Sequence, residues 1–441
     1  MSLTADQARA LAPDPQVAAA AQKLARPASW HGLGRNGQAI WGECRGSAVY
    51  RVQADLDEMA LRCSCPSRKQ PCKHAVGLLL LAAGGSDVPA ADPPAWVAEW
   101  LAKRRERAEG PRQAATKTVA EERSGPSARQ AKQARERVDR VLQGADALDL
   151  WLADVGRGGL AGVETQPASW WERQAARLVD AQAPGLAGRV RRMAGIPGSS
   201  ADWPERLLFE MGQLALLTHA LRRMDALAPE TQHDVRRLVG WTLRAPEVKE
   251  LGETVLDEWL VAGRWVEEEG SLRTERTWVL GRRTGRAALI LQFAPGRGTS
   301  FPSIAIPGTA QEMELIFWPG ACPQRAMIET RRGEPKPTVG GLPHRQSVRA
   351  LLSDVAAILA RAPWTDRFLG ALADVVAFRR ADGTWAIQDP DGDLLPLRGT
   401  NHWQLLAVSG GHPVDLIGEW HDLTLRPLGV VAEGVFHVLA P

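Results

Sequence analysis

Three cysteines and one histidine fall within twelve residues, in the string Cys63-Ser-Cys65-Pro-Ser-Arg-Lys-Gln-Pro-Cys72-Lys-His74, in a chain of 441 residues that has only five cysteines. Ordinary buried thiols are not concentrated in this way, and a Cys63–Cys65 disulfide would close a strained ring. Three thiolates and an imidazole instead form a complete tetrahedral ligand set for Zn²⁺. A Cys-x-Cys pair at a strand end can fold both sulfurs around one ion, and Pro66 and Pro71 bound a tight loop that returns Cys72 and His74 at a helix start. Four protein ligands leave no position for an activated water, so one structural ion is expected rather than a catalytic one.

The surroundings of the cluster are basic. Arg62, Arg68, Lys69 and Lys73 lie around it, with no acidic residue between Met59 and Gly85. Cations favour the ligating thiolates, and the same four side chains are candidate contacts for nucleic-acid phosphates or another anion. Cys44, read as lying in a turn, and the distant Cys322 are read as ordinary thiols.

The flanks give the cluster a frame. Short strand patterns at 39–41, 48–52 and 59–61 precede it, and the apolar run Ala75–Leu81 follows as a helix ending at Gly84-Gly85. The order is sheet, metal knuckle, helix. Trp96, Val97, Trp100 and Leu101 then mark one face of a second helix. These residues resemble the SWIM-type zinc finger family, whose pattern is Cys-x-Cys followed by Cys-x-His on a ββα framework. Cys63, Cys65, Cys72 and His74 match that pattern, and Trp41-Gly-Glu-Cys-Arg-Gly-Ser and Pro94-Ala-Trp-Val-Ala-Glu-Trp-Leu look like its bacterial branch. The turn after Ser47 is shorter than in bacterial relatives. The resemblance implies a zinc-stabilised module that binds DNA or proteins. It also implies an adaptor partnership with a MoxR-type AAA ATPase or a von Willebrand A domain protein.

Beyond the finger, a multidomain α+β chain is expected: a helical lead-in (1–37), the finger module (38–107), a basic flexible linker (108–130), an α-helical domain (131–268) and a mostly β region with one inserted helix (269–441). The linker reading rests on 12 basic and six acidic residues between Lys103 and Arg140, with few large apolar side chains. The helical reading rests on Leu207, Met211, Leu214, Leu217 and Leu221 at helical spacing, with Asp202 as a candidate cap. Thr277–Leu280 and Ala287–Phe293 read as a hairpin. Further strands are expected at 303–306, 314–318, 375–378, 385–388 and 394–397, a helix at Gln346–Arg361, and short strands over 403–439. Trp96, Trp100, Trp241, Trp259 and Trp278, five of 17 tryptophans, are read as core.

Composition narrows the function. Hydrophobic residues at 44% and charged residues at 24% describe a folding chain, and a net charge of +3 is too small to announce a polyanionic partner, so any nucleic-acid contact must be local. The longest apolar run, Ala75–Ala83, is half of a membrane span, the first 21 residues lack a signal-peptide core, and cysteine is scarce, so a cytoplasmic location is expected. No phosphate-binding P-loop, His-Glu-x-x-His or Gly-x-Ser-x-Gly motif occurs, and no enzyme activity is expected. Gly32-Leu-Gly-Arg-Asn-Gly reads as a loop, Asp389–Asp393 as a turn, Glu267-Glu268-Glu269 as a solvated helix end, and His402, His412, His421 and His437 as scattered histidines. Two functions remain: a protein-interaction adaptor, favoured by the large mass outside the finger, and a nucleic-acid binder acting through the finger and its basic flank.

Overall fold

The computed structural model describes residues 4–45, 48–56, 59–67, 69–84, 88–105, 128–269, 272–295, 301 and 305–439. The N-terminal module opens with α1 (Ala5–Ala10) and α2 (Pro15–Leu24); Asp14 caps α2 by accepting from Val17 N–H at 2.8 Å. A four-stranded antiparallel sheet follows in the order β1 (Trp30–Arg35), β2 (Ala39–Arg45), β3 (Val49–Asp55), β4 (Ala60–Cys63), and then come α3 (Lys73–Ala83) and α4 (95–105). Alternation along the strands builds two cores. Ile40, Cys44, Val52 and Ala54 face α3, whereas Ala39, Trp41 and Ala60 face Val97, Trp100 and Leu101 of α4. Helix α3 is buried from His74 through Leu81, enclosed by α1, α2 and the sheet, and it ends at Gly84.

Three expectations here need correction. The lead-in of 1–37 is helical only in its first part, because Trp30–Arg35 forms the first strand of the sheet. The glycine-rich string from Gly32 is accordingly strand up to Arg35, with Asn36-Gly37 as the turn. Gly34 sits across from Trp41, where a Cβ would come within 2.6 Å of the indole, so this glycine makes room for a ring. Cys44 lies within β2, fully buried, rather than in a turn.

The middle domain contains α5 (Ala128–Gly158), α6 (Ala168–Asp180), α7 (Pro184–Met193), α8 (Trp203–Arg222) and α9 (Pro229–Val239), around a core that includes Leu148, Leu178, Leu186, Leu207, Leu214 and Val235. Helix α10 (Ala245–Leu251) follows. Most of the expected linker lies outside the described residues, and its last three, 128–130, belong to α5. Asp202 occupies the N-cap position of α8 without capping it.

The helical domain ends earlier than expected. Residues 254–268 belong to a strand, β5 (Thr254–Glu269), and Glu267 is therefore no helix end. Trp259 and Val261 point to one apolar core while Leu260 and Ala262 point to another. A strand buried on both faces loses the period-two signature and reads like a helix. With β6 (Leu272–Gly281), β7 (Ala287–Pro295), β8 (Thr309–Phe317) and β9 (Arg325–Pro337), it closes a barrel in the order β5-β6-β7-β9-β8, the β7–β9 pair being parallel. The expected strand at 303–306 falls partly outside the described residues, and Ile306 is not in a strand.

A six-stranded antiparallel sheet completes the chain, formed by β10 (Phe368–Arg379), β11 (Trp385–Gln388), β12 (Leu394–Pro396), β13 (Val414–His421), β14 (Thr424–Ala432) and β15 (Val435–Val438). Helices α11 (Val348–Arg361, capped by Ser347) and α12 (His402–Ser409) cover one face, and the barrel covers the other through Ile417, Leu428 and Val431. Helix α12 replaces the strand expected near Trp403. The fold class is as expected: a ββα-type zinc module enlarged by flanking elements, a helical middle and a mostly β C-terminal region. Of the five tryptophans expected in the core, Trp259 and Trp278 are fully buried and Trp100 is 8% exposed, whereas Trp96 and Trp241 are only partly buried.

The finger module also joins the barrel. Gln7 donates from Nε2 to Gly308 O at 2.9 Å, and Ile306 belongs to the module's apolar core. Met59, in the left-handed region at φ 48°, shares a small cavity at the barrel end with Val261, Ile306 and Ile328.

Candidate metal centre

Each ligand is held by backbone structure. Cys63 ends β4, where its neighbour across the ladder is Val52. Cys65 follows in the loop, and Cys72 is the N-cap of α3, which puts its sulfur at the positive end of the helix. His74 lies one residue into that helix and is 5% exposed. Nearby backbone amides, those of Cys65 at Cys63, Ser67 at Cys65 and Ala75 at Cys72, each act to lower the pKa of the thiol they face. These amides favour thiolate over thiol.

The four donor atoms lie within 4.8 Å of one another, and His74 Nδ1 is 3.8 Å from Cys63 Sγ and 4.0 Å from Cys72 Sγ. A tetrahedral Zn²⁺ with bonds of about 2.0–2.3 Å requires donor separations of roughly 3.5–3.8 Å. The set needs only a small contraction to fit. Its proton chemistry points the same way. The Cys63 hydrogen bond holds the Cys72 thiol down at about 4, whereas the hydrogen bond to Cys72 and burial push Cys63 up, and burial pushes Cys65 up. Crowded sulfurs left to themselves support one negative charge, and a divalent cation displaces the remaining protons. Tyr50 packs its ring 4.9 Å from that of His74 and helps to fix the imidazole.

The basic contacts are more divided than the sequence suggests. Arg62 and Lys73 are exposed, and Arg68 lies outside the described residues. Lys69 is held by Asp14, Nζ to Oδ2 at 2.6 Å, and that lysine together with the Val17 N–H keeps the Asp14 carboxyl below the usual carboxylate range. Asp14 was not recognisable as part of this surface, since it comes from α2, 55 positions away in the chain; its only local signal is that of a helix cap. Cys44 stays outside the ligand set, its thiol pushed up by burial, and Cys322 is half-buried far along the chain, also pushed up by burial.

Among the described residues no second group of three or more metal-type ligands occurs. Asp389 is committed to its turn, accepting from Val348 N–H and Asp393 N–H at 2.9 Å each. His412 and His437 line one cleft beside the Arg345–Asp415 pair, while His402 stacks on Trp385 and His421 bonds to Asp366 O. No helix among the described residues is long and apolar enough to cross a membrane.

Comparison with known protein families agrees with this geometry. The family model described as SWIM zinc finger matches residues 50–83, and the one described as SWIM-associated four-helix bundle domain matches residues 136–239. No curated protein and no solved structure matches the chain. The first match spans β3, β4, the knuckle and α3; the second spans α5 to α9. Over those two segments the chain thus matches a SWIM zinc finger, with Cys63, Cys65, Cys72 and His74 positioned to bind a single zinc ion, and a SWIM-associated four-helix bundle domain.

Proposed function

We propose that this protein is a non-catalytic interaction adaptor, in which zinc fixes the N-terminal module and the helical domain presents the docking face. One observation carries this reading. Helix α8 buries Leu207, Met211, Leu214 and Leu221 along one stripe, yet its opposite face shows Leu208 60%, Phe209 62% and Leu216 43% exposed, with Gly212 between them. A helix apolar on both sides is normally enclosed, and an apolar patch kept in water on a charged protein surface marks a protein contact. The closed ligand set supports a scaffolding role for the metal.

The family resemblance makes a MoxR-type AAA ATPase or a von Willebrand A domain protein the first partner to test, in the cytoplasm. The nucleic-acid reading loses support because Lys69 is paired with Asp14, which leaves Arg62 and Lys73 as the two of the four candidate cations that are exposed and make no ion pair among the described residues.

The test is a pull-down from native lysate with full-length wild type, the Phe209→Glu, Leu216→Glu pair, and the Cys72→Ser, His74→Ala pair. Exposed substitutions change stability by only about 0.5 kcal/mol, so the α8 variant should keep its zinc and melting temperature while losing the partner. An identical partner list for wild type and the α8 variant would reject α8 as the docking face.

A further inference from the structure

The barrel and the C-terminal sheet meet around an unbalanced charge cluster. Glu419 is fully buried; it accepts from Trp278 Nε1 at 2.8 Å, from Arg367 Nη1 at 3.1 Å and from Arg398 Nη2 at 2.5 Å. Glu267, on β5, accepts from Arg276 Nε at 2.7 Å and lies 3.7 Å from Arg367. Arg426, on β14, extends into the same cluster with its guanidinium 4.7 Å over the Trp265 ring. Among the described residues it makes neither a hydrogen bond nor an ion pair, and burial lowers its basicity despite the field of Glu419. Arg398 Nε is likewise buried without a partner.

Four guanidiniums, those of Arg276, Arg367, Arg398 and Arg426, thus share two carboxylates, Glu267 and Glu419. Desolvated charge in excess of its counter-charge is costly, and stacking on an indole does not neutralise it. The side chains of Arg367 and Arg398 are 21% and 29% exposed, so the cluster is reachable from solvent.

We infer that Arg426, Arg398 and Arg367 form a binding site for a phosphate monoester group at the junction of the barrel and the C-terminal sheet. Planar guanidinium forks match tetrahedral oxyanions. The excess of two positive charges matches a monoester, which carries roughly −1.5 to −2 at neutral pH, better than a singly charged diester. The site uses none of the zinc ligands and none of the exposed apolar side chains of α8.

Calorimetric titration of the zinc-loaded full-length protein tests this, using inorganic phosphate, methyl phosphate and dimethyl phosphate at matched ionic strength in chloride. Inorganic phosphate and methyl phosphate should bind with one equivalent, and dimethyl phosphate roughly tenfold more weakly or not at all. Arg426→Gln should weaken phosphate by roughly tenfold or more at an unchanged melting temperature. Arg426→Lys, which keeps the charge without the fork, should fall between. Arg62→Gln in the finger should bind as wild type does. Absence of phosphate binding above the chloride background, full affinity in Arg426→Gln, or equal affinity for the two methyl esters would each overturn the assignment.

Discussion

Stripping zinc from this protein, by chelation or by the Cys72→Ser, His74→Ala pair, is expected to unfold the finger module while the helical domain and the C-terminal sheet stay folded. The four ligands join the end of β4 to the start of α3, and α3 supplies much of the module's buried apolar surface. A unit of about 100 residues has a margin of only about 5–15 kcal/mol. Structural zinc contributes an apparent 10–16 kcal/mol, roughly, in small finger domains at neutral pH. Losing it is enough to remove a margin of that size. Elemental analysis should return one zinc per chain before chelation. Hydrogen exchange should then show protection lost across β3, β4 and α3 and kept in α6 to α9. The contact of Met59 and Gln7 with the barrel end should loosen with the module. Well under one equivalent of zinc, or an apo protein with the same protection in α3, would remove the basis of the metal assignment.

The metal centre was legible because it is local: all four ligands lie within twelve residues, and residue type alone announces the chemistry. The α4 face was legible for the same reason, since Val97, Trp100 and Leu101 form an amphipathic stripe that does meet the sheet. What escaped was set by tertiary packing. Strand β1 is broken by glycines whose purpose appears only when Trp41 is laid across Gly34. Strand β5 is apolar on both sides because it is shared by two cores. Strand β9, with Arg331-Arg332-Gly333-Glu334-Pro335 in its course, has the composition of a loop and is a strand through its pairing with β8. The arginines around Glu419 come from four separate elements or loops, and no sequence window contains them together.

Replacing Asp257 is expected to be the most damaging single change in the barrel. Its carboxylate, fully buried on β5, accepts from the N–H groups of Glu258 at 2.6 Å, Arg283 at 3.1 Å and Thr284 at 2.9 Å, from the Thr284 hydroxyl at 2.7 Å and from Arg283 Nε at 3.1 Å. One side chain therefore organises the turn between β6 and β7, where Gly281 approaches so closely that a Cβ would lie 2.5 Å from Asp257 Oδ2. Asp257→Ala leaves these donors unmet in a closed space, at a cost of about 3 kcal/mol, or on the order of 10 °C in melting temperature for a domain of this size. Asp257→Asn keeps the shape but turns an amide donor toward other donors, so it should recover only part of the loss. The pH dependence has a definite sign. Burial alone would raise the carboxyl's pKa, but the hydroxyl and N–H of Thr284, with the N–H and guanidinium of Arg283, outweigh it and hold the group below its usual range. The unfolded chain, with a pKa of about 3.9, then binds the proton more tightly than the folded one. The contribution is complete above that value and is lost as pH falls through the folded pKa. Wild type should therefore exceed Asp257→Asn most at neutral pH, and the gap should narrow below about pH 4. Zinc release in acid affects both proteins alike, so urea unfolding of the pair at neutral pH and near pH 3.5, followed by hydrogen exchange in the barrel strands, isolates the carboxylate. A gap that is constant with pH, or an Asp257→Ala protein within about 1 kcal/mol of wild type, would show that the turn does not depend on this charge.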